Sequence, residues 1–515
     1  MKKLLRTAAM VAAMAAMAAM AFSCDKPDNP TTKDDTEEQI SSEEQQKRQA
    51  NIKALKYLRE EIMDDYYYWY SQIPDVKYTG TTDIYDYFDD LLYSKDRWSW
   101  MIDGQEYIAD ESGVVYGSYG ASFGQPREND DYNVYVRYVY PNSPFANAGV
   151  QRGYRISSID GHGVLDYWLG SEAMVTKFNN ILLSPSTTES HSFQFTTPEG
   201  KTVEKSIKAA ETLNTRPCLI KRIFTAEDYP GLTEPVGYFN YLGFKADDDV
   251  NGKTMLDDIT EPMAYFKENG VKTIIVDLRY NGGGDSRASD LLVSYLAPTS
   301  AAGEIYVKRT HNDKLKSMDK TQTIETPENV IAGLKKSYGT SFSCEPSSPE
   351  FEHLYFITGK GSASASEMTL NGLKPLADLK HVGGVTYGKP NGMYVFLYPY
   401  DAKAQARYAK DDYSSLKYVF LPICFYNANG EGQHIPDDGL IPDDTRPDDI
   451  YHDFGVEEDN IAACLYNIVN GSYPPLTKAK TRASRSQDGP KVKLLLNEED
   501  TDPNYGMYVV RPDFL

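Results

Sequence analysis

Three short stretches carry residue types that could do chemistry together. "GSASASEM" (Gly361–Met368) sets Ser362, Ser364 and Ser366 between alanines and follows them with Glu367. A serine hydroxyl attacks a carbonyl only when a base takes its proton. The candidate bases are His381 and His434, the usual type of partner, and Lys389 in "VTYGKPNG", which would need burial to keep its amine neutral. "VDLRYNGGGD" (Val276–Asp285) supplies a third element, because successive glycines let backbone N–H groups approach an oxygen anion closely. That run matches neither the P-loop nor the dinucleotide glycine pattern, which disfavours a phosphate site.

The elements that would position these residues are legible around them. "HLYFIT" (His353–Thr358) has the apolar run of a buried strand, and a helix is expected from the serine turn onward. Only Ser364 has a glutamate three residues later, the capping-box spacing. The spacing suits a plain helix N-cap worth about 1 kcal/mol. It equally suits a nucleophile at the positive end of a helix. Lys389 likewise fits a surface turn as well as a base. From about Thr212 to Tyr473 strands alternate with helices, "VGYFNYLGF", "MLDDITEPMAYFKENG", "VKTIIVDLRY" and "DSRASDLLVSYLA" first among them. That order predicts βαβ units with right-handed crossovers and a sheet covered on both faces.

Ahead of this region lie two others. Ile52, Leu55, Leu58, Ile62 and Tyr66 recur at helical spacing, and "TDIYDYFDDLLY" predicts a second helix with Thr82 as its N-cap. From about residue 111 to 210 the chain has short alternating strands punctuated by glycine, including a hairpin around Pro198-Glu199-Gly200. The expected organisation is a signal peptide at 1–23, an acidic tether at 24–46 and a helical domain at 47–110. A β-rich domain at 111–210 and a catalytic domain at 211–475 follow, then a linker with add-on strands at 476–515.

The chain has 515 residues and a formal net charge of −22, with no Lys/Arg stripe to offset it, so a phosphate backbone would be repelled. "MKKLLR" followed by "TAAMVAAMAAMAAMAF" has the form of a secretory signal peptide. The "AFSC" that closes it resembles a bacterial lipobox with Cys24 as the acylated residue. The expected location is therefore the bacterial cell envelope, lipid-anchored. Cys218, Cys344, Cys424 and Cys464 show no CxxC spacing, which argues against a zinc site.

Taken together and in this order, "VDLRYNGGG", "GSASASE" and "TYGK" resemble the motifs of the C-terminal processing (tail-specific) serine peptidases. "GASFG…VYPNSPFANAGVQRGYRISSIDG" is similar to the PDZ domain those enzymes carry. The resemblance spans roughly residues 48–470. It implies a crotonase/Clp-protease-like α/β peptidase core with an inserted PDZ-like β-rich domain and an N-terminal helical unit. It further implies Ser364 as nucleophile, Lys389 as general base, and backbone N–H groups of Gly283 and Ala365 as the oxyanion hole. Substrate tails would bind at Tyr119, Gly120, Ala121, Ser122 and Phe123. No metal or organic cofactor is implied, and the partners would be unfolded or tail-exposed proteins and, through Cys24, a membrane. Met393 stands where some members have a glutamine that orients the lysine. The rival expectation is an inactive peptide-binding lipoprotein on the same scaffold.

Overall fold

The computed structural model describes residues 41–125, 133–168, 171–476 and 508–509. The expected signal peptide, Cys24 and most of the C-terminal stretch lie outside the described residues. Among the described residues, no helix is long and apolar enough to cross a membrane. The chain divides into Met1–Gln49 and a body, Ala50–Leu515. Near the end of the first part, the expected tether is already helical from Ser42, in a helix that runs Ser42–Lys56. Ser41 Oγ accepts from the Glu44 N–H, and Glu43–Lys47 and Glu44–Arg48 pair one turn apart.

In the body, six strands lie side by side: β1 (Cys218–Phe224), β2 (Val236–Tyr241), β3 (Thr273–Asp277), β4 (His353–Thr358), β5 (Leu379–Gly383) and β6 (Asp444–Thr445). β1 and β2 are antiparallel, and every later neighbour is parallel. Helices α1 (Asp257–Glu268), α2 (Ser286–Leu296), α3 (Ala365–Leu373) and α4 (Asp459–Asn470) cover the sheet. The strands bury both faces. Ile274, Val276, Leu354 and Phe356 pack with residues of α1, α2 and α3, whereas Ile275, Tyr355 and Ile357 pack with Ile461 and Leu465 of α4. Truncating one of these, Phe356 for instance, would cost about 3–5 kcal/mol. This parallel order brings the ends of β3, β4 and β5 to one edge of the sheet, where α/β folds hold their ligands.

A second sheet runs Lys320–Thr323, Ile305–His311, Ile423–Ala428, Asn391–Tyr394 and Tyr508–Val509. The last strand pairs in parallel with Met393–Tyr394, so the C-terminal stretch contributes one add-on strand among the described residues. The N-terminal helices share their core with Tyr398 and Phe420 and are built into the body. In the helix Ile84–Leu91 the N-cap is Asp83 and not Thr82. The Asp83 carboxylate accepts from Tyr85 and Asp86 N–H groups, while Thr82 Oγ1 accepts from Thr79 N–H one turn earlier.

The β-rich region forms an antiparallel sheet in the order Ala121–Gly124, Val134–Val139, Arg155–Ile159, Ser190–Thr196, Thr202–Lys208. Its own core gathers Phe145, Phe178, Phe193 and Phe195. The expected hairpin closes at Gly200, whose φ of +79° suits glycine. Ala121–Gly124 is an end strand of that sheet.

Candidate active site

The serine turn leaves the end of β4. Ser362 Oγ donates to Leu278 O at 2.7 Å and accepts from the Gly359 N–H. Ser366 Oγ donates to Asn281 O at 2.8 Å. Both hydroxyls thus tie the serine turn to the β3 loop. Ser364 sits between them with φ +55° and ψ −103°, in a region a non-glycine residue enters only under strain. A serine on a strained strand-to-helix turn is the geometry that presents the nucleophile in α/β-hydrolases. α3 begins at Ala365, so the Ala365 N–H is a first-turn amide with no intrahelical acceptor.

Glu367 joins the serine to the lysine. Its Oε2 accepts from the Ser364 N–H at 2.8 Å, the reciprocal half of a capping box, and from the Lys389 N–H at 2.9 Å. Its Oε1 accepts from the Gly388 N–H at 2.7 Å and from Thr386 Oγ1. Burial pushes the Glu367 carboxyl above its ordinary pKa, and these four hydrogen bonds work against that rise. One buried carboxylate therefore fixes the main chain on both sides of the site. Ser364 is 2% exposed and Lys389 1%. Gly388 has φ +89°, and a Cβ there would sit 2.2 Å from Asp437 O. Arg97 of the N-terminal helical unit braces the same turn by donating to Gly388 O and Asp437 O.

The glycine run leaves the end of β3 above a buried charge cluster. Asp277 accepts from Tyr238 OH at 2.7 Å and from Arg279, which also holds Asp448 and Glu458. Burial would raise the Glu458 carboxyl, and Arg279 more than offsets it. Asn281 spans the loop. Its Nδ2 donates to Tyr241 O, and its Oδ1 accepts from the Gly283 N–H at 2.9 Å. The Gly283 N–H, expected as an oxyanion donor, thus has Asn281 as its partner in this structure. Its amide is already committed to Asn281, and an incoming oxygen must share or displace that bond.

The two histidines have other partners. His381 Nε2 meets Thr358 Oγ1 at 2.6 Å, and burial lowers its ring to about 4. His434 Nδ1 meets Asn427 O at 2.8 Å. Of the expected tail-binding residues, the ring of Tyr119 packs in the β-rich core against Phe145 and Phe193, and the Gly120 N–H is taken by Ser118 Oγ. Ala121, Ser122 and Phe123 instead line a cavity of about 510 Å³ that reaches Tyr280 and the glycine run. Ser364 and Lys389 do not line it. Met393 is buried among Trp98, Leu421 and Ile423, so an apolar contact stands at that position. Residues the sequence reading missed are Asn281, Glu367 as a bridge to Lys389, Asp448 and Glu458.

Residues 235–418 match Peptidase family S41, and residues 60–100 match the Peptidase S41 N-terminal domain. The chain carries the domains of a family S41 peptidase. The matched domains are those of a serine-type peptidase family. Its fold is similar to that of a putative S41 protease from Bacteroides fragilis, at 20% identity over 79% of this chain and 96% of that one, with a TM-score of 0.60. The photosystem II D1 C-terminal processing protease matches at 16% identity over 79% of this chain and 94% of that one, with a TM-score of 0.40. Mature CPAF matches at 12% identity over 82% and 98%, with a TM-score of 0.43.

Proposed function

We propose that this S41 peptidase cleaves peptide bonds with a Ser364/Lys389 dyad through an acyl-enzyme. The observation that carries the reading is the Glu367 carboxylate, which takes the backbone N–H of both residues on a single oxygen. The strained φ of Ser364 supports it, as does the commitment of Ser362 and Ser366 to backbone carbonyls. In the first step Lys389 Nζ takes the Ser364 Oγ proton while Oγ bonds to the substrate carbonyl carbon. The C–N bond then breaks, and Lys389 returns the proton to the leaving amine. Water, deprotonated by the same amine, hydrolyses the ester. An ammonium is costly to bury, and the depth of Lys389 favours the neutral amine this cycle needs. The Ala365 N–H and a glycine-run amide would stabilise the oxyanion, each worth about 10²–10³ in rate.

The β-rich insertion is read as a PDZ-type module that adds a substrate tail to the Ala121–Gly124 edge, which fits its place at the end of its sheet. Acylation at Cys24 would hold the body at a bacterial envelope membrane. The test uses a serine-reactive fluorophosphonate and an unfolded protein substrate. Wild type is labelled and cleaves. Ser364→Ala does neither, Lys389→Ala loses cleavage, and His381→Gln and His434→Gln keep it. An active Lys389→Ala beside a dead histidine variant refutes the dyad. Absence of both labelling and cleavage in wild type favours the inactive peptide-binding reading. Globomycin-sensitive processing and loss of membrane association in Cys24→Ala test the anchor.

A further inference from the structure

We propose that Arg137 is a specificity residue that receives an acidic side chain of the substrate, upstream of its anchored C-terminus. The proposal rests on the tail-binding reading of the β-rich insertion.

Arg137 lies on the strand Val134–Val139, which pairs with the edge strand. In that pairing Ser122 faces Tyr138 and Phe123 faces Val136, so Arg137 is the unopposed residue of a β-bulge. A bulge re-aims the side chain it frees. Here the side chain crosses Gly124, where a Cβ would stand 2.5 Å from Arg137 Nε. It reaches the wall of the cavity that joins Ala121–Phe123 to the glycine run, with its guanidinium carbon 5.7 Å from the centre of the Tyr280 ring. Tyr280 immediately precedes Asn281 and the glycines. Glycine at 124 is thus what gives the guanidinium its path, and the bulge is what points it there.

Three arginines line this cavity. Arg216 holds Asp249 and Asp258, and Arg279 holds Asp277, Asp448 and Glu458. Arg137 has no carboxylate within ion-pair distance among the described residues, and its Nε is buried without a hydrogen-bond partner. The nearby Asp448 is already taken by Arg152, Arg279 and the Tyr280 hydroxyl. A guanidinium without a carboxylate partner among the described residues and with its Nε unsatisfied, in a chain whose net charge is −22, fits a ligand that brings its own carboxylate. A peptide added to Ala121–Gly124 with its terminus at the Tyr119–Ser122 end would pass Arg137 farther along, between the anchored terminus and the scissile bond. The ligand is therefore an Asp or Glu side chain inside the tail.

The experiment compares kcat/KM for peptide pairs that differ only by Glu or Gln at each of the third to fifth positions from the C-terminus. At one of these positions wild type favours Glu by roughly 10- to 100-fold, the range of a charged hydrogen bond. In Arg137→Gln that ratio falls to about one, and in Arg137→Glu it reverses in favour of a Lys peptide. The same ratios are read as binding, by fluorescence anisotropy on the Ser364→Ala chain, so the test survives a failure of the dyad. No Glu preference in wild type, or a preference that persists in Arg137→Gln, overturns the proposal. C-terminal amidation of the peptides reports separately on tail anchoring. If amidation costs nothing while the Arg137-dependent Glu preference holds, the anchoring reading falls and the assignment of Arg137 stands.

Discussion

Glu367→Gln is the most informative single change at this site, because it keeps the shape of the side chain and removes acceptors. The wild-type carboxylate receives four donors, two on each oxygen. A glutamine keeps one oxygen and replaces the other with an NH₂ that can only donate. If its oxygen stays toward Ser364 and Lys389, the Gly388 N–H loses its acceptor. Thr386 adapts, since its hydroxyl can rotate to accept. If the amide flips, both the Ser364 and Lys389 N–H groups are orphaned. One buried unsatisfied amide costs about 1–3 kcal/mol, so the favoured rotamer loses about that much, plus part of the charge assistance at the other bonds. Loosening the Gly388–Lys389 main chain by even 1 Å costs about 100-fold in rate. The expected outcome is a chain that folds with its urea midpoint lowered and kcat down by about 10²-fold, with KM changed far less. The acid limb of the kcat profile also moves, because loosening the Gly388–Lys389 main chain changes how deeply the lysine amine is buried. A purely structural carboxylate would lower the urea midpoint without that shift. If Glu367→Gln folds and keeps kcat within about threefold of wild type, the carboxylate does not position the dyad and the reasoning is wrong.

Three other outcomes follow from the same geometry. Asn281→Asp places an anion beside the developing oxyanion and lowers kcat more than Asn281→Ser, which single-turnover acylation rates would show. Arg279→Met leaves Asp277 and Glu458 buried without their cation and costs about 3–5 kcal/mol, measurable by urea unfolding. His381 has its ring lowered by burial from 6.5 to about 4. Its contribution to stability is intact above pH 6.5. It is lost as pH falls toward 4, because the unfolded chain takes up a proton the folded ring refuses. The loss is on the order of 3 kcal/mol, and His381→Gln flattens this part of the stability profile.

Much of the peptidase core was legible because its signals are local. A run such as "VKTIIVDLRY" must bury both faces, and β3 does. The capping-box spacing singled out Ser364 among three serines, and the structure shows why the other two differ: their hydroxyls are used to hold the β3 loop. The misread elements are local too. "SSEEQQKR" carries a serine cap and two (i, i+4) ion pairs, yet its acidity made it look like a tether. Asp83 outcompeted Thr82 as a cap because its carboxylate reaches two first-turn amides.

What stayed hidden depends on register between distant strands. The serine–glutamate spacing announces a bond from Glu367 to the Ser364 amide, and nothing in it announces the bond to Lys389. That second bond exists because β4 and β5 pair in parallel with Thr358 opposite Gly383, which brings the turns beyond both strand ends together. A one-residue slip would exchange the two faces of β5 and carry Lys389 away from the carboxylate. Asn281 is hidden for the same reason. In sequence it is the residue before three glycines, and only the fold puts Tyr241 O and the Gly283 N–H on either side of its amide. The local motif thus points to Ser364, the proposed nucleophile, while the partners that would make it reactive are set by the packing of the sheet. Substitutions in the core faces of β4 and β5 that leave the chain folded should therefore reach catalysis through Glu367, lowering kcat in proportion to how far they shift the Gly388–Lys389 turn.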